Sequence, residues 1–268
     1  MAARALRRPA VGATLSLFFQ PERTDDFFAW TIQPPLTAAL LGAAYGGTIV
    51  LFALSLRETG WANARMIVAA PFTLSTLLLV ATLIHLDKFH LDEGGIAAGV
   101  AWIWLIVYVL VPPVIVVLAV IQLRAPGIDP ARIAPLPTWL RVAMGAFGAA
   151  ALLGGAVLFA VPSDIAPHWP WTITPLTGRA LAAWLAGIGV ASLQAVVEND
   201  FRRLRAGLTG FTVIGVLALV AIARFADDVD WGLGGGLLVA VPVFIVAAGA
   251  YGVWQGRSIE REPGPLSY

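Results

Sequence analysis

The chain has 268 residues, of which 59% are hydrophobic and 12% charged, with a mean hydropathy of +0.84. A soluble domain carries about 25% charged residues, and no soluble fold of this size hides so much apolar surface, so lipid must be the solvent. The net charge of +1 leaves no polybasic domain for nucleic acid, and the lack of cysteine removes disulfides, thiolate metal sites and Cys nucleophiles.

The N-terminal segment sets Arg4, Arg7 and Arg8 before a short apolar run over about 9–20. It resembles a leader peptide, but Phe18, Phe19, Gln20 and Pro21 stand where small residues would be needed for cleavage. Seven longer runs follow, near 36–56, 66–86, 96–122, 140–161, 178–197, 206–224 and 232–254. Each has about the 20 residues that a helix needs to cross the hydrocarbon core. They must be helices, because open strands would leave backbone groups unpaired in lipid. No Lys, Arg, Asp or Glu falls at the middle of a run, as the cost of a charge at the bilayer centre requires.

Counting the short run as the first span divides the cations 13 to 4 between the two sides. Arg4, Arg7, Arg8, Arg57, Arg65, Arg124, Arg132, Arg141, Arg202, Arg203, Arg205, Arg257 and Arg261 share one side, and Arg23, Lys88, Arg179 and Arg224 the other. The positive-inside rule makes the first side cytoplasmic, so both termini are expected inside. One Lys against sixteen Arg points to a high-GC bacterial genome and hence a bacterial plasma membrane.

An internal repeat is legible. Trp30-Thr31-Ile32-Gln33-Pro34-Pro35-Leu36-Thr37 recurs as Trp171-Thr172-Ile173-Thr174-Pro175-Leu176-Thr177, and from Pro35 the offset is a constant 140. Glu58 then matches Glu198, Arg65 matches Arg205, Asp87 matches Asp227, and Gly94-Gly95 matches Gly234-Gly235. The expected fold is all-α: a polytopic transmembrane helix bundle of eight spans, the first one short, arranged as two four-helix repeats in parallel orientation. The expected division is a first four-span repeat at 1–123, a Pro-rich cytoplasmic linker at 124–139, a second repeat at 140–257 and a polar tail at 258–268.

Several residues invite a functional reading beside a structural one. Pro35 and Pro175 suit the first turn of a helix, with Trp30 and Trp171 as interface anchors or as the lining of a shared cleft. Gly42-x-x-x-Gly46, matched by Ala182-x-x-x-Ala186, permits close helix approach, including of the second and sixth spans to each other. Glu58 with Arg65, and Glu198 with Arg205, are each spaced to pair across a helical hairpin, as a structural lock or a docking site. His85 and His90 are metal-ligand types, with His168 on the same side. Their spacing of five does not share a helix face, and a polar helix end accounts for them better. Pro112-Pro113 should break the fourth span, as a bend or a substrate site; Pro71 and Pro242 pose the same choice. Gln194 needs an interhelical partner.

None of this assembles an acid, base, nucleophile or cofactor site, so no catalytic, metal or cofactor residue is assigned. The residues point to a non-catalytic membrane scaffold, accessory subunit or lipid-interacting protein. Its expected partners are membrane lipid and a protein partner or second copy of the chain, with no nucleic acid. The rival class is a small transporter or channel for an uncharged or amphiphilic solute, served by a gap between the halves. An intramembrane enzyme is the third.

Overall fold

The computed structural model describes residues 16–261, with side chains through Gln255. The first apolar run therefore lies largely outside the described residues; its end, 16–19, is helical. Among the described residues there is no strand, and seven helices are long and apolar enough to cross a bilayer. Numbering the long helices in chain order gives α1 (Pro35–Ser55), α2 (Ala69–Ile84), α3 (Gly95–Arg124), α4 (Thr138–Ala160), α5 (Pro175–Glu198), α6 (Phe201–Arg224) and α7 (Leu233–Arg261). The protein is a polytopic helical bundle.

The helix starts follow local chemistry. Pro35 and Pro175 occupy first-turn positions, where a missing N–H costs nothing. Thr174 caps α5 by accepting from Thr177 N at 3.2 Å. Span hydroxyls bond back to their own helices, as with Thr48 to the Ala44 carbonyl at 2.9 Å and Thr82 to that of Leu78 at 2.8 Å.

Of the candidate prolines, Pro71 breaks its span and Pro112-Pro113 does not. α3 runs without interruption through Pro112 and Pro113, and α7 through Pro242. The break lies before α2. A helical turn at Trp61–Ala64 passes into a 3₁₀ turn at Arg65–Ile67, and the chain bends at Val68 (φ −100°, ψ −72°). The cause is Pro71, which cannot donate to the Ile67 carbonyl and whose ring crowds it. The corresponding residue 140 positions on is Phe211, and α6 is continuous there.

Neighbouring helices are antiparallel. α1 packs along α6 and α5 along α2, so each pair takes one helix from either side of the linker. A Cβ at Gly47 would collide with Ile214 and the Gly210 carbonyl; one at Gly187 would meet Leu74 Cβ at 3.3 Å and the Ala70 carbonyl at 3.6 Å. These two crossings are related residue for residue by the offset of 140. The contact glycine is Gly47 rather than the expected Gly46. Gly42 instead meets Leu17 and Phe18, while Ala182 and Ala186 meet Gly155 of α4. The small-x-x-x-small segments therefore join each helix to the one before it, and α1 and α5 barely touch each other.

The connections at the end away from the linker also correspond. Gln20 (φ −129°, ψ 49°) and Val161 (−128°, 56°) open matching turns, and His85 (−120°, 32°) and Phe225 (−123°, 37°) close matching helices. His90 N donates to the Ala29 carbonyl at 3.0 Å, and Asp230 N to that of Pro170 at 2.8 Å. α5 and α1 form the interior, 61% and 56% buried over their apolar windows, while α3 is the most peripheral at 17%.

Candidate functional site

Two regions carry the unusual chemistry at the arginine-rich end. The first is a cluster of charges between the linker and the α5–α6 turn. α5 ends at Asn199, whose left-handed conformation (φ 45°, ψ 46°) reverses the chain. Asp200 then caps α6, accepting from Arg202 N at 2.9 Å and Arg203 N at 3.3 Å. Its other oxygen accepts from the linker amides of Ile133 at 2.7 Å and Ala134 at 3.2 Å. Asn199 Oδ1 accepts from Leu136 N at 3.1 Å. The linker is thus pinned by side chains of the turn, with Ala134 and Leu136 buried beneath it.

Glu198, 4% exposed, is the hub. Arg65 donates to both its oxygens through Nε and Nη2, each at 2.5 Å, and Arg203 Nη1 adds a third contact at 3.2 Å. Arg65 also reaches Asp129 at 2.6 Å, Arg203 Nη2 donates to the Pro130 carbonyl, and Arg132 Nε donates to the Glu198 carbonyl at 2.8 Å. The guanidinium of Arg65 holds the Asp129 carboxyl below its ordinary value. This corrects the expected pairing. Arg65 bonds Glu198 across the bundle rather than Glu58 in its own hairpin, because the segment 61–67 ahead of the break packs against α6 and brings Arg65 beside the end of α5. Glu58 accepts from Asn63 Nδ2 at 3.2 Å. Arg205 lies on the exposed side of α6, and the salt bridges of Glu198 run to Arg65 and Arg203.

The break also resolves Gln194. Its Nε2 donates to the Arg65 carbonyl at 3.1 Å, at the irregular turn before α2. Asp129, Asn199 and Asp200 escaped the sequence reading, and Arg132 and Arg203 entered it only as cytoplasmic cations. Their one available signal is the polar run Glu198-Asn199-Asp200 between two apolar helices, with Asn and Asp in the orders that stop and start helices.

The second region is a half-open apolar crevice walled by α4, α5, α6 and α7, with Met66 from the broken segment. Met144, Phe147, Phe211 and Phe244 are among its lining, and no lining side chain is ionisable. The one lining hydroxyl, Ser192, donates to the Met144 carbonyl at 2.8 Å. Rings at 4.7 Å, Phe147 on Phe244, tie α4 to α7 across it. Its chemistry is that of a hydrocarbon binder: flexible thioethers and ring faces with no spare hydrogen-bonding group.

The opposite end holds the remaining candidates. Trp30 and Trp171 are 2% and 6% exposed, so they are core residues rather than interface anchors. Trp30 sits among Phe28, Phe89 and Trp104 at 4.8–5.2 Å. Trp171 Nε1 donates to Thr37 Oγ1 of α1 at 2.7 Å. His90 Nδ1 donates to the Phe28 carbonyl at 3.0 Å, and its Nε2 lies 3.2 Å from Thr31 Oγ1. His85 lies 2.7 Å from Arg179 Nη1, and burial followed by that cation pushes its imidazole below the ordinary value. The two histidines thus face different partners, and no group of three or more metal-ligating side chains gathers among the described residues.

No family model, curated protein or solved structure matches this chain.

Proposed function

We propose that this chain is a non-catalytic, lipid-interacting membrane protein that holds an apolar chain, such as a lipid acyl tail, in the crevice between α4, α5, α6 and α7. The crevice lining carries the reading. A slot with two methionines, three phenylalanines and no unsatisfied polar group favours hydrocarbon over any solute that needs hydrogen bonds. The same lining disfavours an intramembrane enzyme, since it offers no acid, base or nucleophile. A solute path between the halves is disfavoured by the backbone contact of α1 with α6 at Gly47 and Gly210.

The same proposal takes the chain as two copies of a four-span unit, related by an axis along the membrane normal. Its support is the reciprocity of the α1–α6 and α2–α5 crossings, the mark of an isologous interface. The arginine-rich end is read as cytoplasmic, with both termini there, in a bacterial plasma membrane.

Native mass spectrometry of protein delipidated in maltoside tests the ligand. The wild type should retain an acyl-chain lipid that Ala248→Trp, which fills the slot, releases without loss of thermal stability. Absence of a retained lipid, or equal retention by the variant, would overturn the assignment.

A further inference from the structure

We propose that Arg179 and Arg224 form two binding sites for lipid phosphate groups, in the leaflet away from the arginine-rich end. Among the described residues four cations lie at that end of the bundle, and they fall into two kinds. Arg23 is neutralised by Asp26 at 2.8 Å, and Lys88 by Asp87 at 2.9 Å. Arg179 and Arg224 make no ion pair among the described residues, although Asp87, Asp164, Asp227, Asp228 and Asp230 crowd the same connections.

What the two arginines have is an acceptor without charge and an aromatic face. Arg179 Nη1 donates to His85 Nε2 at 2.7 Å, its Cζ lies 6.0 Å from the Phe159 ring, and its Nε is buried without a partner. Arg224 Nη1 donates to the Phe18 carbonyl at 2.6 Å, and its Cζ lies 5.4 Å from the Phe18 ring and 5.1 Å from that of Phe225. A guanidinium has five N–H donors. Each of these uses one, on a neutral acceptor, and keeps its full charge at the edge of an apolar span.

The placement repeats where the sequence does not. Phe18 and Phe159 are matched at the offset of 141 that precedes the first proline of α1 and α5. Yet Arg179 corresponds to Ala39 of α1, and Arg224 to Ile84 of α2. One corner, where α5 meets the end of α2, takes its cation from α5. The other, where α1 meets the end of α6, takes it from α6. A cation supplied from different helices to equivalent corners is required at the place and not inherited with the residue. At that depth the abundant anion is the phosphodiester of a lipid headgroup, which accepts paired N–H donors from arginine.

The test uses the full chain purified in maltoside, titrated with phosphatidylglycerol and followed by native mass spectrometry. A diacyl glycolipid with the same acyl chains but no phosphate is the second arm, and inorganic phosphate the third. Arg179→Gln with Arg224→Gln should weaken phosphatidylglycerol binding about fivefold per arginine, on the order of 30-fold for the pair, and leave glycolipid binding unchanged. Arg23→Gln with Lys88→Gln should leave both unchanged. Arg224 is exposed, so Arg224→Gln alone carries the test should the double variant not fold. The proposal fails if the variants bind phosphatidylglycerol like the wild type, if glycolipid binding falls in parallel, or if the Arg23 and Lys88 variants lose as much. Displacement of the lipid by millimolar inorganic phosphate would make these soluble-anion sites and overturn the lipid assignment. The glycolipid arm reports on the acyl crevice alone, so that reading stands or falls separately.

Discussion

The turn between α1 and the Trp61 segment and the turn between α5 and α6 sit at the same place in the 140-residue offset, and each follows a glutamate. Glu198 is buried, holds two arginines and is roofed by the linker. Glu58 is half-buried and accepts from Asn63. Residue 203 reaches 198 much as 63 reaches 58, at 3.2 Å in both, but an arginine stands in one turn and an asparagine in the other. The linker explains the difference. It crosses only one of the two turns, and that turn carries Asn199 and Asp200 to hold it where the other carries Thr59 and Gly60. One of the two turns is thus a plain hairpin and the other a locked one.

The largest expected effect separates the two glutamates. Glu198→Gln leaves Arg65 and Arg203 without their buried counter-charge and should destabilise the detergent-solubilised protein by about 3–5 kcal/mol. Glu58→Gln should stay within about 1 kcal/mol. Thermal or denaturant unfolding of both variants checks this, and equal losses would erase the distinction. Next in size are the two helix crossings. Gly47→Ala drives a methyl into the Gly210 carbonyl, which belongs to backbone and cannot swing away. It should cost about 1–3 kcal/mol. Gly187→Ala meets the Leu74 side chain at 3.3 Å, which can shift, and should cost less than about 1 kcal/mol. A reversed order in the same unfolding experiment would mean that the two crossings are not packed as described.

Hydropathy and charge avoidance made the spans legible, because lipid forbids most alternatives. The runs at 36–56 and 178–197 are α1 and α5 to within a few residues. The prolines at their starts were readable for the same local reason. Pairing was not. Glu58 and Arg65 lie seven apart and invite a hairpin bridge, but Arg65 bonds a partner 133 residues away. Nor does sequence tell a lipid-facing tryptophan from a buried one, since Trp30 and Trp171 stand at the membrane boundary either way. The crevice depends on how four helices splay, to which no single residue contributes a mark. Proline offers the same warning: Pro112 and Pro113 look more disruptive than Pro71, yet α3 absorbs them as a peripheral helix in contact with few neighbours.

The broken segment allows a smaller test of why the halves differ. If Pro71 holds the Arg65 carbonyl within reach of Gln194, the two sites must couple. Pro71→Ala should let the helix heal across Val68 and lose that acceptor. Gln194→Leu should then cost about 1 kcal/mol in the wild-type background and close to nothing beside Pro71→Ala. A double-mutant cycle by denaturant unfolding reads the coupling. Additive effects would show that Gln194 owes its partner to something other than the break.

The smallest effect concerns the linker over the locked turn. Asp129 faces Arg65, Arg203 and Arg132, and hydrogen bonding to Arg65 lowers its carboxyl below the ordinary value near 3.8. A depressed carboxylate contributes its stabilisation in full above the unfolded value and loses it as pH falls through the lower folded one. The linker hold should therefore be constant from neutral pH to about pH 5 and loosen below about pH 4. Asp129 is half exposed, so solvent screens the pair and the change is local rather than global. Hydrogen exchange at the Ile133 and Ala134 amides, which Asp200 accepts from, reports whether the linker lifts. Protection should fall between pH 5 and pH 3 in the wild type beyond the intrinsic change in exchange rate. Asp129→Asn should show the lower protection already at pH 5 and a flatter response. The 56–60 turn, which carries no linker, serves as the internal control. A parallel loss of protection there would mean that acid loosens the whole arginine-rich end and that Asp129 has no separate part in holding the linker down.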